Sequence, residues 1–202
     1  PSFHVFPDRQ TWRCFGACAT GGDVFSFVMR AENLEFAEVL RRLSQQAGVA
    51  LPSRERRSQH QTAFQINEAA LGYFQELLSS SKGADARAYL ERRGVNKDAV
   101  YSFELGLSPR DGESLKNRLA SLGHAVEEVA KAGLLHLTGN GKAVDLFRAR
   151  LMIPIRNSQG ELAGFGARAL DDATPKYLNS PRTPVFDKGR LLYGMHLARE
   201  EA

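Results

Sequence analysis

Cysteine is scarce: only Cys14 and Cys18 occur in 202 residues. That excludes the disulfide framework of small secreted domains and suits a reducing, cytoplasmic home. No run approaches the roughly 18 consecutive apolar residues of a membrane-spanning helix, so no membrane partner is expected. The opening residues carry no basic-then-apolar leader. Internal repeats and low-complexity tracts are lacking too. What is present is 43% hydrophobic and 25% charged, an ordinary globular composition able to bury a core. Disorder, collagen and coiled coil are thereby excluded as overall descriptions. The net charge of +4 leans toward an anionic partner, although lysine-rich solubility would produce the same balance.

The chain opens on Pro1, directly in strand-like sequence, and stops at Arg199-Glu200-Glu201-Ala202 inside a helix-like stretch. A fragment of a longer protein is the expectation. Residues 1–20 alternate as short strands, with Phe3-His4-Val5-Phe6 and Thr11-Trp12-Arg13-Cys14 separated by a turn at Pro7-Asp8. Asp23 is a good N-cap for the apolar helix Val24–Met29. Asn33 is read as the cap of a second helix with Phe36, Val39, Leu40 and Leu43 on one face, closed by Gly48 and Pro52. Residues 53–62 hold four charges and no large apolar side chain, which reads as a linker. Phe64, Ile66, Ala70, Leu71, Phe74, Leu77 and Leu78 then recur at helical spacing. Further helices are expected at 84–93, before a left-handed cap at Gly94, and around 96–102 and 113–122. Leu151–Ile155 and Leu162–Leu170 flank Asn157-Ser158-Gln159-Gly160 as a β-hairpin. The stretch 173–190, with Pro175, Pro181 and Pro184, reads as irregular.

Two features could carry chemistry. Cys14 and Cys18 are spaced C-x3-C, and two thiolates on one tight knuckle can share a Zn²⁺. A tetrahedral site needs four ligands; His4 is a possible third, although its alternation suits a strand side chain, and two free thiols would show the same spacing. The second feature is a charge excess. Between residues 142 and 190 nine Lys/Arg face five acids. In Phe147-Arg148-Ala149-Arg150 a strand would place both arginines on one face, and guanidinium forks suit phosphate oxygens. Gly164, Gly166 and Gly189 would let a phosphate backbone approach the main chain. Tyr177 and Asn179 beside Lys176 offer a stacking ring and a base-edge hydrogen-bonding group. A solvated basic face with structural glycines would look alike. No P-loop, G-x-S-x-G elbow or meaningful Ser-His-Asp order is present.

Longer motifs narrow this choice. Cys14-Phe15-Gly16-Ala17-Cys18 followed by Gly21-Gly22-Asp23-Val24-Phe25-Ser26-Phe27, then Leu34-Glu35-Phe36, resembles the second half of the zinc ribbon of the bacterial DNA primases of the DnaG type. Tyr89–Gly94, Phe147–Ile155, Gly164-Phe165-Gly166-Ala167-Arg168, Pro175-Lys176-Tyr177-Leu178-Asn179-Ser180-Pro181, Phe186–Arg190 and Leu192-Tyr193-Gly194 are similar to that family's RNA polymerase core. The family usually places two residues between the cysteines, where Phe15, Gly16 and Ala17 make three here.

The resemblance implies an α+β chain. A partial zinc-ribbon sheet with helices would fill residues 1–52, a linker 53–62, and the mixed α/β N-terminal subdomain of the catalytic core 63–202. It implies Zn²⁺ on Cys14 and Cys18, completed by an upstream Cys-Pro-x-His motif. Nucleic-acid or nucleotide contacts would fall to Arg93, Arg148, Arg150, Arg168, Lys176, Tyr177, Asn179 and Lys188. The acids holding Mg²⁺ or Mn²⁺ belong to the family's Toprim part, after Gly194, so no catalytic residue is expected here and the fragment alone should be inactive. Implied partners are single-stranded DNA template, RNA primer, ribonucleoside triphosphates, the replicative helicase and single-strand-binding protein of a primosome. Two alternatives remain open: a non-catalytic zinc-ribbon module binding single-stranded DNA, and a primase joined to a helicase as in phages.

Overall fold

The computed structural model describes all residues except Pro1, Pro52, Asp172, Glu201 and Ala202, and omits the side chains of Arg54, Arg199 and Glu200. Pro52, expected to close a helix, thus lies outside the described residues. The chain divides into two compact units, Pro1–Arg54 and Glu55–Ala202.

The first unit begins with an antiparallel sheet, β1 (Phe3–Phe6), β2 (Thr11–Cys14) and β3 (Gly21–Gly22), ordered β1-β2-β3. Trp12 organises it. Its ring packs on Phe3 and Phe27, with centroids 5.5 and 5.8 Å away, and its indole Nε1 donates to the Asp23 carbonyl at 2.9 Å. Helix α1 (Val24–Glu32) starts where the Asp23 carboxylate accepts from the Ser26 N–H at 2.8 Å, satisfying one of the free amides of the first turn. Helix α2 spans Phe36–Gln46 and buries Val39. Asn33, expected to cap α2, instead ends α1 in the left-handed conformation (φ 53°), a conformation asparagine tolerates better than most side chains. Glu35 takes the capping position of α2 without a side-chain bond.

Helix α3, Arg54–Ser79, starts on the last residue of the first unit and forms the opening of the second. Residues 54–62, expected as linker, are therefore helical. Lack of apolar side chains excludes burial, not helix. Arg, Glu and Gln propagate a helix well, and a turn already held by packing extends at one hydrogen bond per residue. The helices α4 (Ala84–Arg92), α5 (Lys97–Ser102), α6 (Ser114–Ser121) and α7 (Val126–Lys131) follow, with α8 (Met195–Glu200) near the end of the chain. Gly94 is left-handed (φ 74°) after α4, as the sequence predicts.

An antiparallel sheet anchors this unit in the order β4-β7-β8-β9, from β4 (Gly106–Leu107), β7 (Arg150–Arg156), β8 (Leu162–Ala169) and β9 (Tyr177–Asn179). A separate hairpin joins β5 (Leu135–Leu137) to β6 (Ala143–Asp145). The expected β7–β8 hairpin is present, whereas β9 forms inside the stretch read as irregular, in a proline-free gap between Pro175 and Pro181.

Strand parity separates two cores. Met152, Phe165 and Ala167 pack with Ile66, Ala70 and Phe74 of α3. Leu151, one residue from Met152, points the other way and joins Leu78, Ala86 and Leu90. The buried Asn67 ties α3 to β8, its Nδ2 donating to the Leu162 and Ala163 carbonyls at 3.0 Å each. β4 comes so close to α3 that a Cβ on Gly106 would lie 2.5 Å from Phe74 Cβ.

Candidate zinc knuckle and nucleic-acid interface

In the first unit the turn after β2 is closed by its own backbone. The Cys14 N–H donates to the Thr20 carbonyl at 2.7 Å, the Phe15 N–H to Ser2 at 2.7 Å, and the Ala19 N–H to Gly16 at 3.0 Å. Ala19, directly after Cys18, is left-handed (φ 43°). The turn brings the two thiols together. Hydrogen bonds from Cys14 first, then from Thr20, lower the Cys18 thiol to about 7. Two neighbouring thiols, with Cys18 lowered toward its ionised form, are a donor pair that fits Zn²⁺, and they supply half of a tetrahedral site. Among the described residues no group of three or more His, Cys, Asp or Glu is gathered for a metal. His4 does not complete the set. It pairs with Arg13 while Phe3 pairs with Cys14, so pleat parity sends it to the opposite face, where its ring meets Phe15 edge-on at 5.7 Å.

In the second unit the candidate cations are distributed by the register of β7, β8 and β9. Arg150 pairs with Ala169, and Arg168 with Leu151 and Tyr177. Arg150 and Arg168 therefore point to opposite faces of the sheet. Arg148 precedes β7, and Ala149 between the arginines is left-handed (φ 53°), so the expected shared strand face of Arg148 and Arg150 does not form. Arg150 is only 6% exposed, and its Nη1 points to the Lys176 carbonyl at 3.5 Å. Arg148 is exposed and lies over Gly112, whose Cβ would come within 3.1 Å of Arg148 Cδ. Lys188 is exposed in a turn that Asp187 closes by accepting from the Gly189 N–H at 3.0 Å.

A tighter constellation surrounds β9. Tyr177 and Asn179 share the face of Arg168, while Leu178 turns to the core. The Arg168 guanidinium lies 5.4 Å from the Tyr177 ring centre and 5.6 Å from that of Tyr89 on α4, and its Nη1 donates to the Tyr177 hydroxyl at 3.0 Å. Arg93, one turn after Tyr89, sits 5.5 Å from the same ring. Cations and rings thus alternate as Arg93, Tyr89, Arg168, Tyr177. Sequence reading had missed Tyr89, although its i, i+4 spacing from Arg93 on a helix was a signal. Lys176, next to this row, is exposed. Beside Tyr89 a cavity of about 800 Å³ is lined by Lys82, Asp85, Arg92, Arg110 and Asp171 among others.

The glycines have a different use from the one expected. A Cβ on Gly164 would meet the buried Phe186 ring at 2.7 Å, and one on Gly166 would meet Asn179 Oδ1 at 3.3 Å. Both serve close packing in the sheet rather than approach of a phosphate. Gly189 alone of the three is exposed.

Paired thiols on a three-stranded half-ribbon are thus followed by an α/β unit in which cations and rings alternate from the end of α4 to β9. Two family models match in the same order: "CHC2 zinc finger" over residues 1–59 and "DNA primase catalytic core, N-terminal domain" over residues 73–199. The DNA primase of Halalkalibacterium halodurans is 39% identical over 206 aligned residues, covering 98% of this chain and 34% of that protein. The crystal structure of the Aquifex aeolicus primase zinc-binding and RNA polymerase domains matches all of this chain and 49% of its own, with 32% identity and a TM-score of 0.63. A DnaG primase catalytic domain bound to single-stranded DNA matches 71% of this chain and 46% of its own, with 36% identity and a TM-score of 0.67. The chain belongs to the DNA primase family of the DnaG type. It spans about a third of the length of the curated relatives it matches.

Proposed function

We propose that this chain is the template-handling part of an enzyme that synthesises RNA primers on single-stranded DNA by nucleotidyl transfer, in the cytoplasm. The observation that carries this reading is the likeness to DNA primases across 98% of the chain. Its support on the sheet is the solvent-facing Lys176 and Tyr177 with the row behind them. In this reading the first unit holds Zn²⁺ through Cys14 and Cys18 with two ligands from a preceding Cys-Pro-x-His motif, and it selects template. Arg148, Lys176 and Lys188 contact phosphates, Tyr177 stacks a base, and Asn179 meets a base edge or ribose. Arg150 supports Lys176 from behind. Primer and ribonucleoside triphosphates would share this surface, while the helicase and single-strand-binding protein would be partners of the whole enzyme.

Mg²⁺ or Mn²⁺, held by acids that the family carries after Gly194, would polarise the phosphoryl oxygens during transfer. Residues 1–202 are accordingly expected to bind template and make no primer when given Mg²⁺, template and ribonucleotides. Replacement of Arg148, Lys176 and Lys188 together by alanine tests the binding surface. Filter binding at two salt concentrations should show weaker binding, with a salt slope reduced by about 0.7 per lost phosphate contact on single-stranded DNA. Sequence preference should be unchanged, since phosphate contacts carry little base information. Unaltered affinity in a folded triple variant, checked by circular dichroism, would refute the assignment.

A further inference from the structure

The family likeness leads one to expect Arg168 to be another phosphate ligand. Its surroundings argue otherwise. Two aromatic rings approach its guanidinium, at 5.4 and 5.6 Å. Its Nη1 already donates to the Tyr177 hydroxyl at 3.0 Å. Its Nε is buried and has no hydrogen-bond partner among the described residues. A side-on fork to a phosphate needs Nε and one Nη together, and that edge is closed. Tyr177, by contrast, is 61% exposed. It stands directly across from Arg168 in the β8–β9 register, so the cation backs one side of the ring and leaves the rest to solvent.

We infer that Arg168 is a positioning residue: clamped between Tyr89 and Tyr177, it holds the Tyr177 ring as a preformed stacking platform for one unpaired base of a single strand. This rests on the proposal above that the face of β9 binds nucleic acid. The chemistry is consistent at each step. A ring fixed by a hydrogen bond at its hydroxyl and a cation at its side loses little freedom when a base stacks on it. A cation at the ring also draws on its π electrons, the same electrons that a base covers from the open side. Arg93, the residue that ends α4, completes the row from the far side of Tyr89, its guanidinium 5.5 Å from that ring.

Phosphate contact and ring positioning give opposite results with a strand that has no bases. The probes are a 16-nucleotide oligothymidylate and an abasic strand of the same length, each titrated onto the full 202-residue chain by fluorescence anisotropy at several salt concentrations. The positioning role predicts that Arg168→Gln weakens binding of oligothymidylate about fivefold and leaves the abasic strand and the salt slope unchanged. Tyr177→Ala should do the same, and the double variant should be no weaker than Tyr177→Ala alone. Tyr177→Phe, which removes only the acceptor of the Arg168 hydrogen bond, should give an intermediate loss on oligothymidylate and carries the test should Arg168→Gln fail to fold. An equal loss on both strands with a reduced salt slope would make Arg168 a phosphate ligand and overturn the inference. So would unchanged binding of oligothymidylate by every Arg168 and Tyr177 variant. The Arg148, Lys176 and Lys188 triple variant separates the two levels. If it still weakens abasic binding while Arg168→Gln has no effect, only the platform fails; if it has no effect either, the whole binding face fails.

Discussion

Arg156 looks in sequence like one more cation of the basic 142–190 stretch, but its environment makes it a structural tie. Its Nε and Nη2 each reach Glu104 at 2.7 Å; its Nη1 meets Glu68 at 2.6 Å and the Gly160 carbonyl at 2.9 Å. One side chain thus joins the C-terminal end of β7 to α3, to the residue two beyond α5 and to the β7–β8 turn. The Arg156 side chain is 14% exposed, while those of Glu104 and Glu68 are 34% and 47% exposed. Fully buried pairs cost about 3–5 kcal/mol when one partner is removed, and fully exposed pairs under about 1 kcal/mol. Half-exposed carboxylates can rehydrate, so Arg156→Met should cost about 2–3 kcal/mol. With a urea m-value of about 2 kcal/mol/M, the midpoint should fall by about 1–1.5 M. Far-UV circular dichroism reads this transition in the second unit. Fluorescence of Trp12, the single tryptophan, reports the first unit and should hold its midpoint. Adding Glu104→Gln to Arg156→Met should recover part of the loss, because one uncompensated charge is then gone. Affinity for single-stranded DNA in water should be unaltered. A midpoint shift below about 0.3 M at constant slope would refute the assignment of Arg156 as a tie between these elements.

Asp145 is buried under α6, where its carboxylate accepts from the Leu115 and Lys116 N–H groups at 2.9 Å each, so Asp145→Ala should cost about 2–4 kcal/mol by leaving two donors without a partner. Burial, the largest influence, raises its carboxyl above the ordinary range despite those donors. A raised acid contributes stability in full below the ordinary carboxylate range and loses it as pH rises through the raised value. The margin of the wild-type protein over Asp145→Asn should therefore shrink between pH 4 and pH 7 in thermal melts, and a widening margin would contradict this. For the knuckle, a chain extended to include the preceding Cys-Pro-x-His motif should carry one Zn²⁺, and its Cys14→Ser form markedly less by metal analysis. Equal zinc in both would remove Cys14 from the ligand set.

Local patterns decided what the sequence could show. The α3 stripe, the β7–β8 hairpin, the Asp23 cap and the Gly94 turn were legible, since each depends on neighbours within a few residues. The spacing of Cys14 and Cys18 and the Lys176–Asn179 run were legible for the same reason. Only tertiary structure decided the helix through residues 54–62, because an amphipathic stripe reports burial and a solvated turn can extend a packed one. Only tertiary structure placed Arg150 and Arg168 on opposite faces, since a left-handed Ala149 and the strand register set which way each side chain points. The same holds for Gly164 under Phe186, and for Tyr89, which reaches Arg168 across 79 residues of chain. Arg156 shows the difference most plainly: composition counts its charge, and only the fold brings Glu68 and Glu104 to it.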